Sequence, residues 1–127
     1  MNRVKYSTNP YNINRLSAVA GVAAIEGNDY YVEKIAQIKA TREYTREKLL
    51  EMGFEVNPSD ANFLFAKPPV ESGVDGAMLY EELKNRGILI RHFNKDRIRD
   101  YARITIGTQA EMEKMIETVA EILNEKK

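Results

Sequence analysis

Arginine is the residue type in this sequence best placed to do chemistry. Between Arg86 and Arg103 lie six basic residues (Arg86, Arg91, Lys95, Arg97, Arg99, Arg103) and two acidic ones (Asp96, Asp100). A guanidinium is a planar fork of donors and suits bidentate binding of carboxylate or phosphate. Arg103 is the sharpest case, because it alternates with Ala102 and Ile104 in an apolar stretch. A mid-strand arginine must reach solvent, an ion pair or an anionic ligand, since burying it unpaired is costly. On the residues alone, ligand and structural roles for it stay open. Arg97 and Arg99 read as solvated loop surface. Gly107-Thr108 opens a helix, where an anion can bind. Thr108 with Glu111 three residues on is also a capping box, the favoured reading. His92 follows Arg91 with no carboxylate placed to orient it, and reads as a surface group rather than a base.

The rest of the composition narrows the chemistry. The 127 residues include one histidine and no cysteine. A multi-histidine metal site, a triad with any choice of histidine, a disulfide framework and thiolate catalysis are all excluded. No G-x-G-x-x-G, G-x-x-x-x-G-K or G-x-S-x-G string occurs. No catalytic or metal-ligating residue is therefore assigned. Nineteen Lys+Arg balance nineteen Asp+Glu, so a globally basic nucleic-acid binder is not expected. The longest nearly uninterrupted apolar run, Ala18 to Ile25, is far too short for a bilayer. No secretory signal opens the sequence. The expectation is a cytoplasmic chain acting on no membrane and no nucleic acid.

The elements that must position these arginines follow from periodicity. The opening residues carry a turn at Asn9-Pro10, after which Asn12 or Asn14 caps a helix. Ile13 to Ile25 is helical and apolar nearly all round, a pattern that predicts burial on more than one side. After Gly27-Asn28, Asp29 is expected to cap a second helix to about Met52. Its middle, with Arg42-Arg46 and Glu43-Glu47 stacked at i,i+4, reads as solvated. Gly53 and Gly87 fit left-handed helix ends. Strands are expected at Phe54 to Val56, Asn62 to Lys67, Ile88 to Ile90 and Tyr101 to Ile106. Phe63 and Phe65 face one way, Leu64 and Ala66 the other. Arg91 to Asp100 reads as a loop. Helices are expected over Val74 to Arg86 and after Thr108. The order α-α-β-β-α-β-β-α predicts an α+β fold: an antiparallel or mixed sheet of about four strands with helices packed on one face.

Four strings in this order carry a resemblance. They are PYNINRLSAVA (Pro10 to Ala20), SDANFLFAK (Ser59 to Lys67), LKNRGILIRHF (Leu83 to Phe93) and NKDRIRDYARITIGT (Asn94 to Thr108). They resemble, respectively, the P-Y-N-[VI]-[NS], S-x-x-N-F-[LI], L-x-x-x-G-[IV]-[LI]-[VI]-R and R-I-T-[IV]-G-T segments of fold-type I, class I/II aminotransferases. Together they are most similar to histidinol-phosphate aminotransferases. The resemblance covers essentially the whole chain and implies the small C-terminal domain of a two-domain pyridoxal-phosphate enzyme. On it, residues 1–28 are the N-terminal segment and interdomain-type helix, and 29–127 the small domain.

The resemblance implies roles residue by residue. Arg103 matches the arginine that receives the substrate carboxylate. Arg91 matches an arginine near the phosphate or side-chain end of the substrate. Asn62 matches a position near the domain interface, with a satisfied edge amide as the structural alternative. Tyr11 and Asn12 match the P-Y-N segment and would line the same cleft. The family's Schiff-base lysine stretch does not occur here, and none of the ten lysines stands in comparable context. Pyridoxal phosphate is thus implied for the parent, with none expected on this chain alone. The implied parent reaction is amino-group transfer between histidinol phosphate and 2-oxoglutarate, in histidine biosynthesis, with this chain inactive by itself. The alternatives are a fragment of a threonine-phosphate decarboxylase-like enzyme using the same cofactor, and a non-catalytic anion-binding or interaction module. The implied partners are an amino-acid or phosphate small molecule, the missing cofactor-binding domain and a second copy in a homo-oligomer. The spare apolar face of the first helix argues the same way.

Overall fold

The computed structural model describes residues 13–126. The expected turn at Asn9-Pro10 and the candidates Tyr11 and Asn12 lie outside the described residues. The chain divides into a unit of residues 1–35 and a unit of residues 36–127.

In the first unit, Asn14 caps α1 (Arg15–Glu26) by accepting the Ser17 N–H at 2.8 Å. Gly27 closes that helix with its N–H on the Ala23 carbonyl. Helix α2 (Asn28–Glu51) starts one residue later, so Asp29 lies in its first turn and does not cap it. The apolar pattern of α1 predicted burial on more than one side, yet α1 buries none of its residues. An apolar helix gains burial only from a covering surface, and the described residues of that unit supply none.

In the second unit, α2 ends on a Schellman motif. Phe54 N–H bonds the Leu49 carbonyl and Gly53 N–H the Leu50 carbonyl, with Gly53 at φ +84°. That turn aims the chain into β1 (Glu55–Val56). Strand β2 (Phe63–Lys67) follows, then a 3-10 turn (Val70–Ser72) and α3 (Gly76–Asn85). The Asp75 carboxylate caps α3 through the Met78 N–H at 2.8 Å. A second Schellman motif at Gly87 (φ +79°) ends it. Strands β3 (Arg91–His92) and β4 (Ala102–Thr105) and helix α4 (Gln109–Glu125) complete the unit. The sheet order is β1-β2-β4-β3, antiparallel throughout.

One core holds these layers together. Leu64, Ala66, Ala102 and Ile104 line the inner sheet face. They join Leu49 of α2, Leu79 and Leu83 of α3, and Met115, Val119 and Ile122 of α4 in one buried cluster. The α+β expectation, with helices on one face, holds. The alternation of β2 also holds: Leu64 and Ala66 are buried, Phe63 and Phe65 only partly.

Two local readings are corrected. The third strand is Arg91–His92, not Ile88 to Ile90. After Gly87 the Ile88 N–H is spent on the Leu83 carbonyl, and Leu89 is 79% exposed, so these residues climb out of the turn before pairing begins. The middle of α2 is only partly solvated: Glu43 and Glu47 are exposed, but Thr41, Arg42 and Thr45 are buried. Burial of Thr45 and Arg42 is tolerable because their polar groups have partners. Thr45 Oγ1 donates to the Thr41 carbonyl at 2.7 Å, and Arg42 Nη1 to the Ala61 carbonyl at 3.0 Å.

Candidate anion-binding site

The outer sheet face follows from the same alternation. If Leu64, Ala66, Ala102 and Ile104 point inward, Phe63, Phe65, Lys67 and Arg103 point outward. Register brings them together. Arg103 is the cross-strand partner of Phe65 on β2 and of Arg91 on β3. The Arg103 guanidinium lies over the Phe63 ring at 5.3 Å and near the Phe93 ring at 5.9 Å. Arg91 lies over the same Phe93 ring at 5.0 Å. One phenyl ring therefore stands beside both cations.

The electrostatics of this pair are unusual. Like charges directly opposite across strands repel. Among the described residues, no carboxylate forms an ion pair with either arginine. Arg103 Nε is buried and has no hydrogen-bond partner among the described residues. Ring faces ease the charge by about 0.5–2 kcal/mol but leave that N–H orphaned, at a cost of roughly 1–3 kcal/mol. An oxyanion placed on this face would offset the paired positive charges.

Neighbouring groups are otherwise engaged. Tyr101 stacks on Phe65 at 4.8 Å and 5° and donates its hydroxyl to Glu55 Oε1 at 2.6 Å. That bond, with desolvation and the Glu55 charge, holds the phenol above its ordinary pKa. Lys67 pairs with Asp100 at 3.4 Å and lies near the Tyr101 ring.

The other candidates are placed as follows. Asn62 precedes β2; its side chain is exposed and its carbonyl accepts the Ile106 N–H at 2.9 Å. His92 Nε2 donates to the Arg99 carbonyl at 2.6 Å, which ties the 93–101 loop to β3. Arg97 and Arg99 are exposed. Thr108 and Glu111 form the full capping box, the Thr108 N–H on Glu111 Oε2 at 2.7 Å, so the N-terminus of α4 holds its own anion. Among the described residues, no group of three His, Asp or Glu could hold a metal. No helix there is long and apolar enough to cross a membrane. The cleft of about 400 Å³ lined by Glu51, Met52, Pro69, Glu71, Leu123 and neighbours has acidic but no basic side chains, and is unsuited to anions.

Two features escaped the sequence reading. One is the aromatic wall of Phe63, Phe65, Phe93 and Tyr101; combining the parity of β2 with that of β4 would have found its two central members. The other is Arg42, whose charged neighbours look like an ordinary helix surface.

The family model for aminotransferase class I and II matches residues 2–119. The chain belongs to that family. The histidinol-phosphate aminotransferase of Brachyspira hyodysenteriae is 42% identical over 123 residues, 97% of this chain and 34% of the relative. The crystal structure of the histidinol-phosphate aminotransferase from Clostridium acetobutylicum superposes with a TM-score of 0.80 at 25% identity, over 98% of this chain and 37% of that one. The Sinorhizobium meliloti histidinol-phosphate aminotransferase, solved with pyridoxal-5'-phosphate, has a TM-score of 0.78 at 22% identity over 98% and 34%. The chain thus spans about a third of the length of the curated aminotransferases it matches. The resemblance carried by the four motifs is borne out, and the family is pyridoxal-phosphate-dependent.

Lys67, the lysine on the outer sheet face, is engaged by Asp100. Lys95 is exposed in the loop.

Proposed function

We propose that this chain supplies the substrate-anion half of an amino-group transfer between histidinol phosphate and 2-oxoglutarate. The observation that carries the reading is Arg103: a guanidinium on the outer sheet face, with a buried Nε that has no partner among the described residues. Arg103 holds the carboxylate of the oxo acid in a bidentate grip, and β4 fixes its direction. Arg91, across the strand pair, takes the phosphate end of the amino substrate. Phe63 and Phe93 flank the Arg103 guanidinium, excluding water and strengthening each charged contact. On the resemblance, Asn62 belongs near the domain interface, at the edge of this site.

Pyridoxal phosphate, which supplies the electron sink of such reactions, is held by a lysine-bearing domain outside these residues. On this reading the chain alone transfers no amino group, and its outer sheet face and α1 are surfaces for that domain or for a second copy. A cytoplasmic location belongs to the same proposal.

The test is a titration of 2-oxoglutarate into the chain and into Arg103→Met. Saturable binding by the wild type, weakened about tenfold or more in the variant, is expected for loss of a charge-assisted pair. The chain mixed with pyridoxal phosphate, histidinol phosphate and 2-oxoglutarate should form no glutamate. Equal binding by the variant, or glutamate formation, would overturn the reading.

A further inference from the structure

Arg42 is a buried cation with a narrow set of partners. Its residue exposure is 7%. Nε and Nη2 both donate to Glu43 Oε1 at 3.2 Å, and Nη1 donates to the Ala61 carbonyl at 3.0 Å. Glu43 is its neighbour in the chain, so that pair orients the guanidinium without tying anything distant. The bond to Ala61 spans 19 residues and joins α2 to the turn that precedes β2.

That turn leads directly to the anion site. Ser59 Oγ receives the Ala61 N–H at 3.2 Å and donates to the Phe63 carbonyl at 2.7 Å, closing the turn from inside. The Asn62 carbonyl accepts the Ile106 N–H, which continues the β2–β4 pairing by one rung. Phe63 then places its ring under the Arg103 guanidinium at 5.3 Å. Ala61 is thus held from outside the sheet two residues before Phe63, whose ring borders Arg103.

We infer that Arg42 is a positioning residue for the anion site, fixing Phe63 against Arg103 through the Ala61 carbonyl and the turn that follows it. The inference rests on the reading of Arg103 as the anion-binding arginine. A charged donor in low dielectric holds a carbonyl far more firmly than water does. Without it, the Ala61 carbonyl loses a buried partner, and the turn is left to the Ser59 contacts and the Asn62–Ile106 backbone bond. Arg42 touches no ligand in this arrangement; it acts through the backbone.

The experiment compares the full chain with Arg42→Met, Arg42→Lys, Arg103→Met and Ile122→Val. The last is a core truncation on α4, chosen to lower the melting temperature without touching the turn. The probe is 2-oxoglutarate, with affinity read by titration and amide exchange read at Ile106. Arg42→Met should bind about tenfold more weakly, and its Ile106 amide should exchange about tenfold faster through local opening. Ile122→Val should leave both unchanged relative to its melting temperature. Arg42→Lys, which keeps one donor for Ala61, should recover part of both losses, and it decides the matter if Arg42→Met does not fold. Arg42 variants that bind like the wild type, or no more weakly than Ile122→Val, would overturn the inference. If Arg103→Met binds like the wild type, the anion-site reading itself fails. If only the Arg103 variant weakens, the anion site stands and the role of Arg42 does not.

Discussion

Arg91 and Arg103 face each other across the β3–β4 pair, and the Phe93 ring stands beside both. Two cations on one sheet face with no acidic partner among the described residues are a poor arrangement for stability and a good one for an anion. Arg91 is exposed, so solvent screens much of the repulsion. Arg91→Gln is expected to stabilise the free chain at low salt by no more than about 0.5 kcal/mol. It should also weaken phosphate binding. Thermal melts at low and high ionic strength check the first part, since the gain should fade as salt screens the pair. A variant less stable at low salt would show that the two arginines do not repel.

Gly76 is expected to tolerate no side chain. A Cβ there would stand 2.8 Å from the Asp100 carbonyl carbon and oxygen and 3.0 Å from the Arg99 oxygen, all backbone atoms. Gly76→Ala must therefore push the 93–101 loop away from α3. Overpacking of this kind costs about 1–3 kcal/mol. Chemical denaturation should show that loss, and anion binding should weaken too, because the loop carries Phe93 and leads into β4.

Acid is expected to loosen α4 first at its N-terminus. The Thr108 backbone N–H, then its hydroxyl, hold the Glu111 carboxyl below its ordinary pKa. A carboxylate depressed in the folded state stabilises it above the unfolded pKa. That contribution disappears as pH falls through the folded pKa, so the window lies below about pH 4.5. Melting temperatures of wild type and Glu111→Gln should differ at neutral pH and converge in acid. A constant gap across that range would remove the capping box as its cause.

Helix α1 is expected to drive self-association. Leu16, Val19, Val22 and Ile25 are exposed along it, and contiguous apolar surface of this kind seeks cover. Sedimentation should show concentration-dependent oligomers that Leu16→Glu with Ile25→Glu disperses. A strict monomer at high concentration would contradict it.

Much of the site could be read from residue order alone. Alternation placed Phe63 and Phe65 opposite Leu64 and Ala66, and set Arg103 opposite Ala102 and Ile104. Gly87 marked the end of α3, and Thr108 with Glu111 the start of α4, because caps are local chemistry. Burial of Arg42 was not legible, since its long-range partner is a backbone carbonyl 19 residues away and carbonyls leave no mark on a sequence. The place of β3 was hidden for a related reason. Ile88 to Ile90 have strand-like side chains, but the Schellman turn at Gly87 takes the Ile88 N–H first. The pairing of Arg91 with Arg103 depends on register, which no single strand encodes.

The central claim is that Arg103 awaits an anion, and its own Nε–H reports on it most directly. That N–H is buried and without a partner among the described residues. In ¹H–¹⁵N spectra of the full chain, adding 2-oxoglutarate should move the Arg103 Nε–H resonance saturably and slow its exchange with water. The exposed Arg97 Nε–H should stay unchanged. A resonance indifferent to 2-oxoglutarate and to phosphate, or one that shifts in step with Arg97, would contradict the account.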